Sequence, residues 1–356
     1  MLLSYCRLKH HCPEMKLTFA LCVKGRLWDE FVILRQDVAF LDRPRFSRPW
    51  TVLASRSRLR EHLKASKPDV VMTHSAWLHA VFAPVCRDVG VPTLSWLHNR
   101  TEGRHWSERL ARRCPPLGVI AVSEDTRRFV PQLFPEVPSR VVHSPLPVDE
   151  KLFEKNDRQG VRQALGIRES DLVIIQVSRM EAWKGHRIHL RALAKLMDLP
   201  NWSCLMVGGY ERPEEKDYYD SLLAETERLG LRERVKFLGK RRDVPQLLSA
   251  SDLFCQPNLE AEGLGLVFVE AAVGGLPVIT SGIGGAAELF GDGSALLTSP
   301  GRVDDVASAI RRLLENQQER LKRGALCRAR VLEFCSPERQ VKRLYQVATD
   351  LLSGNK

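Results

Sequence analysis

Two glutamates bracket a run of glycines in Glu262-Gly263-Leu264-Gly265-Leu266-Val267-Phe268-Val269-Glu270, which continues to Gly274-Gly275-Leu276-Pro277-Val278. The composition reads as a glycine-rich loop opening into a short helix and then a buried strand. From Leu266 to Val273 nearly every residue is apolar or small, which predicts a helix buried on all sides. Glu270 sits in its middle, and a buried carboxylate is costly unless something hydrogen-bonds to it. It is therefore either a core acid satisfied by a neighbour or a ligand contact. Glu262 stands just before the glycines, where backbone N–H groups and the helix dipole favour an anion. Two carboxylates around an anion-binding helix start suit a ligand that carries both hydroxyls and phosphates.

A second stretch, Ser178-Arg179-Met180-Glu181-Ala182-Trp183-Lys184-Gly185, follows the apolar run Leu172–Val177. Ligands of open α/β sheets bind beyond the carboxyl ends of strands, and Arg179 falls there, with Lys184-Gly185 opening the next helix. Arg179 and Lys184 would clamp a diphosphate, each charge-assisted contact contributing about 1.5–3 kcal/mol. The bland alternative is two surface cations near a strand end. His98 ends the run Thr93–Leu97, and His74 ends the one before it; a lone strand-end histidine is more often structural. The sequence contains no Asp-x-Asp pair to hold a divalent ion under a diphosphate. Phosphate charge would then fall to Arg179, Lys184 and the helix start at Gly263–Leu266, so the expectation is chemistry without a metal or other cofactor. Gly282-Ile283-Gly284-Gly285-Ala286-Ala287 formally matches a G-x-G-x-x-A dinucleotide fingerprint and would carry a dehydrogenase reading. It comes late in its domain, with no strand-end acid about 20 residues on, and the match is weak.

Together these stretches closely resemble glycosyltransferase family 4, retaining enzymes of the GT-B fold whose signature is Glu-x7-Glu. Glu262 and Glu270 have that spacing, Gly-Leu-Gly and Gly-Leu-Pro-Val follow in the family's order, and Arg179 and Lys184-Gly185 stand where the family contacts donor phosphates. The donor it implies is a nucleotide-diphosphate sugar. Glu270 would hold the ribose hydroxyls and Glu262 the sugar hydroxyls. The backbone of Gly263, Leu264, Gly265 and Leu266 would line the sugar and phosphate side. Arg179 and Lys184 would stabilise charge on the leaving diphosphate, and His98 would stand near the reacting carbon. Phe237-Leu238-Gly239 matches the family's Phe-x-Gly segment beside the nucleobase, with Lys240 as a further donor contact. Gly284, Gly285 and Glu288 match its Gly-Gly-x-x-Glu segment. Ala121-Val122-Ser123-Glu124 resembles its Val-Ser-Glu segment, where Ser123 is expected to cap a helix.

The resemblance implies retaining, metal-independent transfer of a hexose-type sugar to a glycan, lipid-linked or small-molecule acceptor, as in cell-envelope polysaccharide synthesis. It covers the second half almost continuously and the first from about Lys67. Family members open with a strand, a Gly-Gly loop and a helix. Met1 to Pro13 contains no glycine and no strand pattern, so that opening is expected to be missing or altered. A catalytically inactive GT-B-like nucleotide-binding protein is the corresponding alternative.

The elements that must carry these residues alternate short apolar strands with amphipathic stretches, the pattern of a parallel sheet flanked by helices. Expected strands are Lys16–Val23, Val38–Leu41, Asp69–Thr73, Thr93–Leu97, Gly118–Val122 and Arg140–His143. Pro145, Pro147 and Asp149 mark a turn, Glu150–Ile167 reads as a linker, and the alternation then restarts. The second set of strands is Leu172–Val177, Ser203–Val207, Val235–Leu238, Leu253–Gln256, Pro277–Thr280 and Ser294–Leu297. Two doubly wound domains facing a cleft are the simplest architecture. They comprise residues 1–150 on the acceptor side and 151–335 for the nucleotide sugar, with a last helix in 336–356 that the resemblance packs back on the first.

At 356 residues, 44% hydrophobic and 27% charged, the chain is ordinary globular protein. No apolar run reaches the roughly 20 residues of a membrane span, and no secretory signal is expected. Nine scattered cysteines without a CxxC pair suit free thiols in a reducing compartment, so a cytoplasmic location is expected. The formal charge of +11 gathers in Arg56–Arg60, Arg100–Arg113 and Arg311–Arg343. Such clusters suit solvated helix faces or peripheral contact with the inner face of an anionic membrane. No nucleic-acid recognition signature accompanies them, so nucleic acid is not an expected partner.

Overall fold

The computed structural model describes residues 2–146, Phe153 and residues 157–354. Pro147 and Asp149 of the expected turn, and Glu150 at the start of the expected linker, lie outside them. The chain divides into two compact units, Met1–Pro145 with Ser336–Lys356, and Leu146–Cys335. The strands of both pair in parallel. Each expected strand is present, Thr93–Leu97, Leu172–Val177 and Leu253–Gln256 with the expected ends and the others with ends shifted by up to three residues.

In the first unit, β1 (Phe19–Leu21) pairs with β2 (Val38–Phe40). A second sheet runs β3 (Val71–Thr73), β4 (Thr93–Leu97), β5 (Gly118–Ala121) and β6 (Ser139–Val141) in that order. β4 and β5 are buried along their whole length. The Ser75 hydroxyl, just past β3, accepts from the Leu78 N–H and caps the helix Ala76–Asp88. Ser123 does the same for the helix Glu124–Arg128, accepting from the Thr126 N–H at 3.1 Å. Residues Leu2–Leu8 form a helix, and its Tyr5 meets Trp96 of β4 edge-on at 5.5 Å. The last helix, Pro337–Ser353, buries Val341, Leu344, Val347 and Leu351 in the same cluster as Leu94, Trp96 and Ile120. Gly118 lets it close, since a Cβ there would lie 2.7 Å from Leu351.

The second unit is one six-stranded sheet in the order β12 (Leu296–Thr298), β11 (Val278–Ser281), β10 (Leu253–Gln256), β7 (Leu172–Val177), β8 (Trp202–Val207), β9 (Val235–Gly239). The linker expectation needs correction. Within it Arg158–Ala164 is helical and Arg162 is buried, donating to Asp252 Oδ2 at 2.6 Å and to the Ala250 carbonyl at 2.9 Å. This clamp fastens the entry helix to the start of β10. The helix Gln317–Phe334 carries so many arginines that its apolar stripe is thin. It is capped by Asn316, and Gly324 lets it approach the Gly275 carbonyl, which a Cβ would meet at 2.2 Å.

Candidate functional site

Chain order reverses between β7 and β10. From β7 the chain builds outward through β8 and β9, and from β10 through β11 and β12 on the other side. Loops leaving the carboxyl ends of two such strands diverge and open a crevice, the usual ligand position in doubly wound sheets. The loop after β7 carries Lys184 and the loop after β10 carries Glu262. Their side chains meet across this point, Lys184 Nζ to Glu262 Oε1 at 2.7 Å. Lys184 is 8% exposed and Glu262 20%, and the ammonium also lies 3.9 Å from the Trp183 ring centroid.

Both partners are held from behind. Glu262 Oε2 accepts from Asn258 Nδ2 at 3.0 Å, and Asn258 Oδ1 accepts from Gln256 Nε2, the last residue of β10, at 3.0 Å. Gln176 in β7 donates to the Lys184 carbonyl at 3.0 Å while its own oxygen lies 2.8 Å from His189 Nδ1. Ser178 Oγ lies 3.0 Å from His186 Nε2. Gly185 has φ of 76°, and a Cβ there would lie 1.8 Å from the Pro257 carbonyl oxygen, so the two loops approach this closely only with glycine. Burial pulls the Lys184 pKa below that of an ordinary lysine against the attraction of Glu262, and the charge of Arg179 acts in the same direction as burial. His186 and His189 are each pulled down to about 3 by burial and are neutral at pH 7.

Gly263, Leu264 and Gly265 are buried and lead into the helix Leu266–Val273. This helix is not enclosed on all sides as its composition predicts. Phe268, Val269, Ala271, Ala272 and Val273 are buried, but Leu266, Val267 and Glu270 are only partly so. Glu270 follows Leu266 by one helical turn, so the two share the more open face. The glycines of the formal dinucleotide match serve packing. The Gly285 N–H donates to the Glu262 carbonyl at 2.9 Å, and a Cβ on Gly285 would lie 2.0 Å from the Gly263 oxygen.

Arg179 and Lys240 are placed differently. Arg179 is 57% exposed, with Nη2 3.0 Å from Glu181 Oε2 and Nη1 4.0 Å from Glu215 Oε1. Arg212 shares both carboxylates. Lys240, just past β9, is exposed and pairs with Glu211 at 2.9 Å. In the first unit, His98 follows β4 and is half-buried. Its Nε2 lies 3.2 Å from His74 Nδ1, the rings being parallel within 4° at 5.4 Å. Burial pulls His98 down to about 4 and His74 to about 3, so both are neutral at pH 7. The two histidines are thus partners, because each follows one of two adjacent parallel strands, β3 and β4. Sequence reading passed over Asn258. The only signal was a polar residue just after a buried strand, four positions before Glu262. Among the described residues no three His, Cys, Asp or Glu side chains converge to form a metal-binding group, and all nine cysteines are free thiols.

Two Rossmann-like α/β units with parallel sheets, the second with a lysine–carboxylate pair at its switch point beside a glycine-rich helix start, define the GT-B class. The chain belongs to the group 1 glycosyltransferases of family 4: the family model described as "Glycosyl transferases group 1" matches residues 157–326, and "Glycosyltransferase Family 4" matches residues 19–152. It is 30% identical over 210 residues to the N-acetyl-alpha-D-glucosaminyl L-malate synthase of Bacillus anthracis, covering 59% of this chain and 53% of that one. Identity to the D-inositol 3-phosphate glycosyltransferase of Mycobacterium marinum is 37% over 174 residues, 48% of this chain and 36% of that one. The chain thus spans about half or less of the length of these curated relatives. The solved structure of Anabaena HepE in complex with UDP and glucose superposes with a TM-score of 0.83 at 25% identity, over 98% of this chain and 95% of that one.

Proposed function

We propose that this protein transfers a hexose-type sugar from a nucleotide-diphosphate sugar to a glycan, lipid-linked or small-molecule acceptor, with retention at the anomeric carbon. The observation that carries the reading is the Lys184–Glu262 pair across the switch point, beside the helix start at Gly263–Leu266. Membership of a glycosyltransferase family and the likeness to a structure holding UDP and glucose support it. On this reading Lys184 and Arg179 exchange their carboxylate partners for the diphosphate, and Glu262, released, accepts from sugar hydroxyls. Glu270 holds the ribose, the backbone of Gly263, Leu264, Gly265 and Leu266 lines the sugar and phosphate side, and Lys240 reaches the nucleotide from the loop after β9. His98 is the first unit's candidate for a catalytic role.

The bond from the anomeric carbon to the diphosphate oxygen breaks. The acceptor oxygen bonds to the same face, and its proton passes to the departing phosphate oxygen. Arg179, Lys184 and the helix N-terminus stabilise the charge that develops there, the term expected to dominate, and the reading calls for no metal. Trapping a covalent glycosyl–enzyme species would refute the same-face step. A lipid-linked acceptor would bring the protein to the inner face of a membrane as a peripheral enzyme of envelope polysaccharide synthesis.

The test is a thermal-shift panel of UDP, GDP, ADP and their sugar conjugates with and without EDTA. A ligand at about 100 times its Kd stabilises by about 2.7 kcal/mol, a shift of several degrees. A shift with one base that survives EDTA and is lost in Lys184→Ala is the expected result. No shift with any nucleotide in a folded sample would overturn the reading.

A further inference from the structure

Several arginines of the basic runs that stand out in the sequence are paired within the fold. Arg56 donates to the Val81 carbonyl at 2.7 Å, Arg58 pairs with Asp42, and Arg60 lies 3.2 Å from Asp88. Arg100 holds Asp125 with two hydrogen bonds, and Arg112 donates to the Leu133 carbonyl at 3.0 Å. Free positive charge remains on the first unit, part of it within the second of these runs. Arg43, Arg45, Arg48, Arg104 and Arg109 are exposed, and their side chains make no hydrogen bond or ion pair among the described residues. Three large apolar side chains stand exposed beside them: Trp50 at 65%, Leu53 at 64% and Trp106 at 50%.

These residues come from two segments that are one surface. Phe46 bridges them, its ring 4.8 Å from that of Trp106 and nearly perpendicular to it. The turn before the helix Pro49–Ser66 is fixed by Thr51 Oγ1, which accepts from the Arg45 N–H at 2.8 Å and donates to the Arg48 carbonyl at 2.7 Å. That holds Arg45, Arg48 and Trp50 at the mouth of the helix. On the helix itself Val52, Ser55, Leu59 and Leu63 face inward, leaving Trp50 and Leu53, three positions apart, together on the outer side. The nearest acids do not neutralise the patch. Asp42 is taken by Arg58, and Glu108 accepts from the His105 N–H at 3.2 Å, which leaves Glu102 exposed and without a partner among the described residues.

We propose that this face of the first unit docks on an anionic lipid bilayer. An acidic protein would be met by the arginines alone. Exposed tryptophans and a leucine set among them fit a surface that offers phosphate headgroups with acyl chains just beneath, where indole rings are favoured. The inference goes beyond the sugar-transfer reading and does not depend on it, since no residue of the patch belongs to the proposed donor site.

The experiment is co-sedimentation of the full chain with vesicles of phosphatidylcholine containing one-third phosphatidylglycerol, against pure phosphatidylcholine, at low and high salt. Binding to the anionic vesicles, little to the neutral ones, and release by salt are expected. Arg45→Ala with Arg48→Ala should lower the partition coefficient about 30-fold, at the usual contribution per basic residue near an anionic surface. Trp50→Ala with Trp106→Ala should lower it with the melting temperature retained, and Arg232→Ala, an exposed arginine of the second unit, should leave it unchanged. Failure of the folded protein to sediment with anionic vesicles overturns the proposal. Equal binding to neutral vesicles, or binding that survives both double substitutions, overturns it as well.

Discussion

The Lys184–Glu262 pair makes a prediction that distinguishes a ligand site from a structural ion pair. Two unit charges about 4 Å apart attract by about 4 kcal/mol at an effective dielectric near 20. Taking an ammonium that is 8% exposed out of water cancels much of this, as the depressed Lys184 pKa reflects. A net coupling of about 1–2 kcal/mol in the free protein is expected, measurable by a double-mutant cycle of Lys184→Met and Glu262→Gln in urea unfolding. In Glu262→Gln the amide oxygen can still accept from Asn258, so the loop keeps its support.

Nucleotide binding should respond in opposite directions. If Lys184 leaves Glu262 for the diphosphate, Lys184→Met loses a charge-assisted contact of about 1.5–3 kcal/mol, and nucleoside diphosphate affinity falls roughly 10- to 150-fold. Glu262→Gln removes the competitor, and affinity for the bare diphosphate stays the same or tightens up to about fivefold, the equivalent of about 1 kcal/mol. The extra affinity for the sugar conjugate over the bare diphosphate should meanwhile shrink, because Glu262 no longer accepts from sugar hydroxyls. Calorimetric titration of both variants with both ligands decides the matter. Equal weakening of bare diphosphate binding by the two substitutions would refute the exchange and leave the pair as a structural strut.

Three further outcomes follow from the second unit. His186 and His189 are neutral when folded, with pKa values pulled down to about 3. The unfolded chain takes up protons below about pH 6.5 that the folded chain refuses, and each residue can cost up to about 1.4 kcal/mol per pH unit. Urea midpoints should therefore fall steeply from pH 6.5 towards 4, and His189→Gln should flatten the slope; an unchanged slope would remove His189 from the account. Asp252 accepts from Arg158 and Arg162 at 2.6 Å each and from the Val173 N–H at 2.7 Å. Asp252→Asn leaves a buried guanidinium without its counter-charge and should cost about 3–5 kcal/mol in urea unfolding, with a loss under about 1 kcal/mol counting against the clamp. Gly285→Ala places a Cβ 2.0 Å from the Gly263 oxygen and 2.6 Å from the Leu264 Cα. Only backbone movement relieves that contact, so nucleotide-induced thermal shifts should be lost or much reduced, and full retention would show that the loop yields.

The strands were legible because β7, β8, β10 and β11 are buried from both faces and read as unbroken apolar runs. The helix Gln317–Phe334 was not, since it buries only Gly324, Cys327 and Val331 among its many arginines. Local periodicity cannot see a partner supplied from elsewhere, which is also why the 158–164 helix passed for linker until Asp252 came beside it. The same limit governs charge. Arg56, Arg58 and Arg60 look like a basic patch in one dimension, yet in the fold they meet the Val81 carbonyl, Asp42 and Asp88. Glu262 and Lys184 were each recognisable as candidates; their contact follows from strand order alone.

That contact bears on what kind of ligand the second unit should accept. Without ligand its cations are balanced: Lys184 by Glu262, and Arg179 with Arg212 by Glu181 and Glu215. A phosphate arriving at Lys184 must displace a carboxylate that is four-fifths buried, and the displaced group loses its charged donor while keeping Asn258. Leaving such an acceptor under-satisfied costs about 1–3 kcal/mol, so a ligand that brings only phosphates gives back part of what it gains. A ligand that brings hydroxyls beside its phosphates supplies donors to Glu262 as it takes Lys184 away. Under the proposed function, selectivity for the sugar conjugate over the bare diphosphate thus arises from the exchange itself, within the geometry of one ion pair.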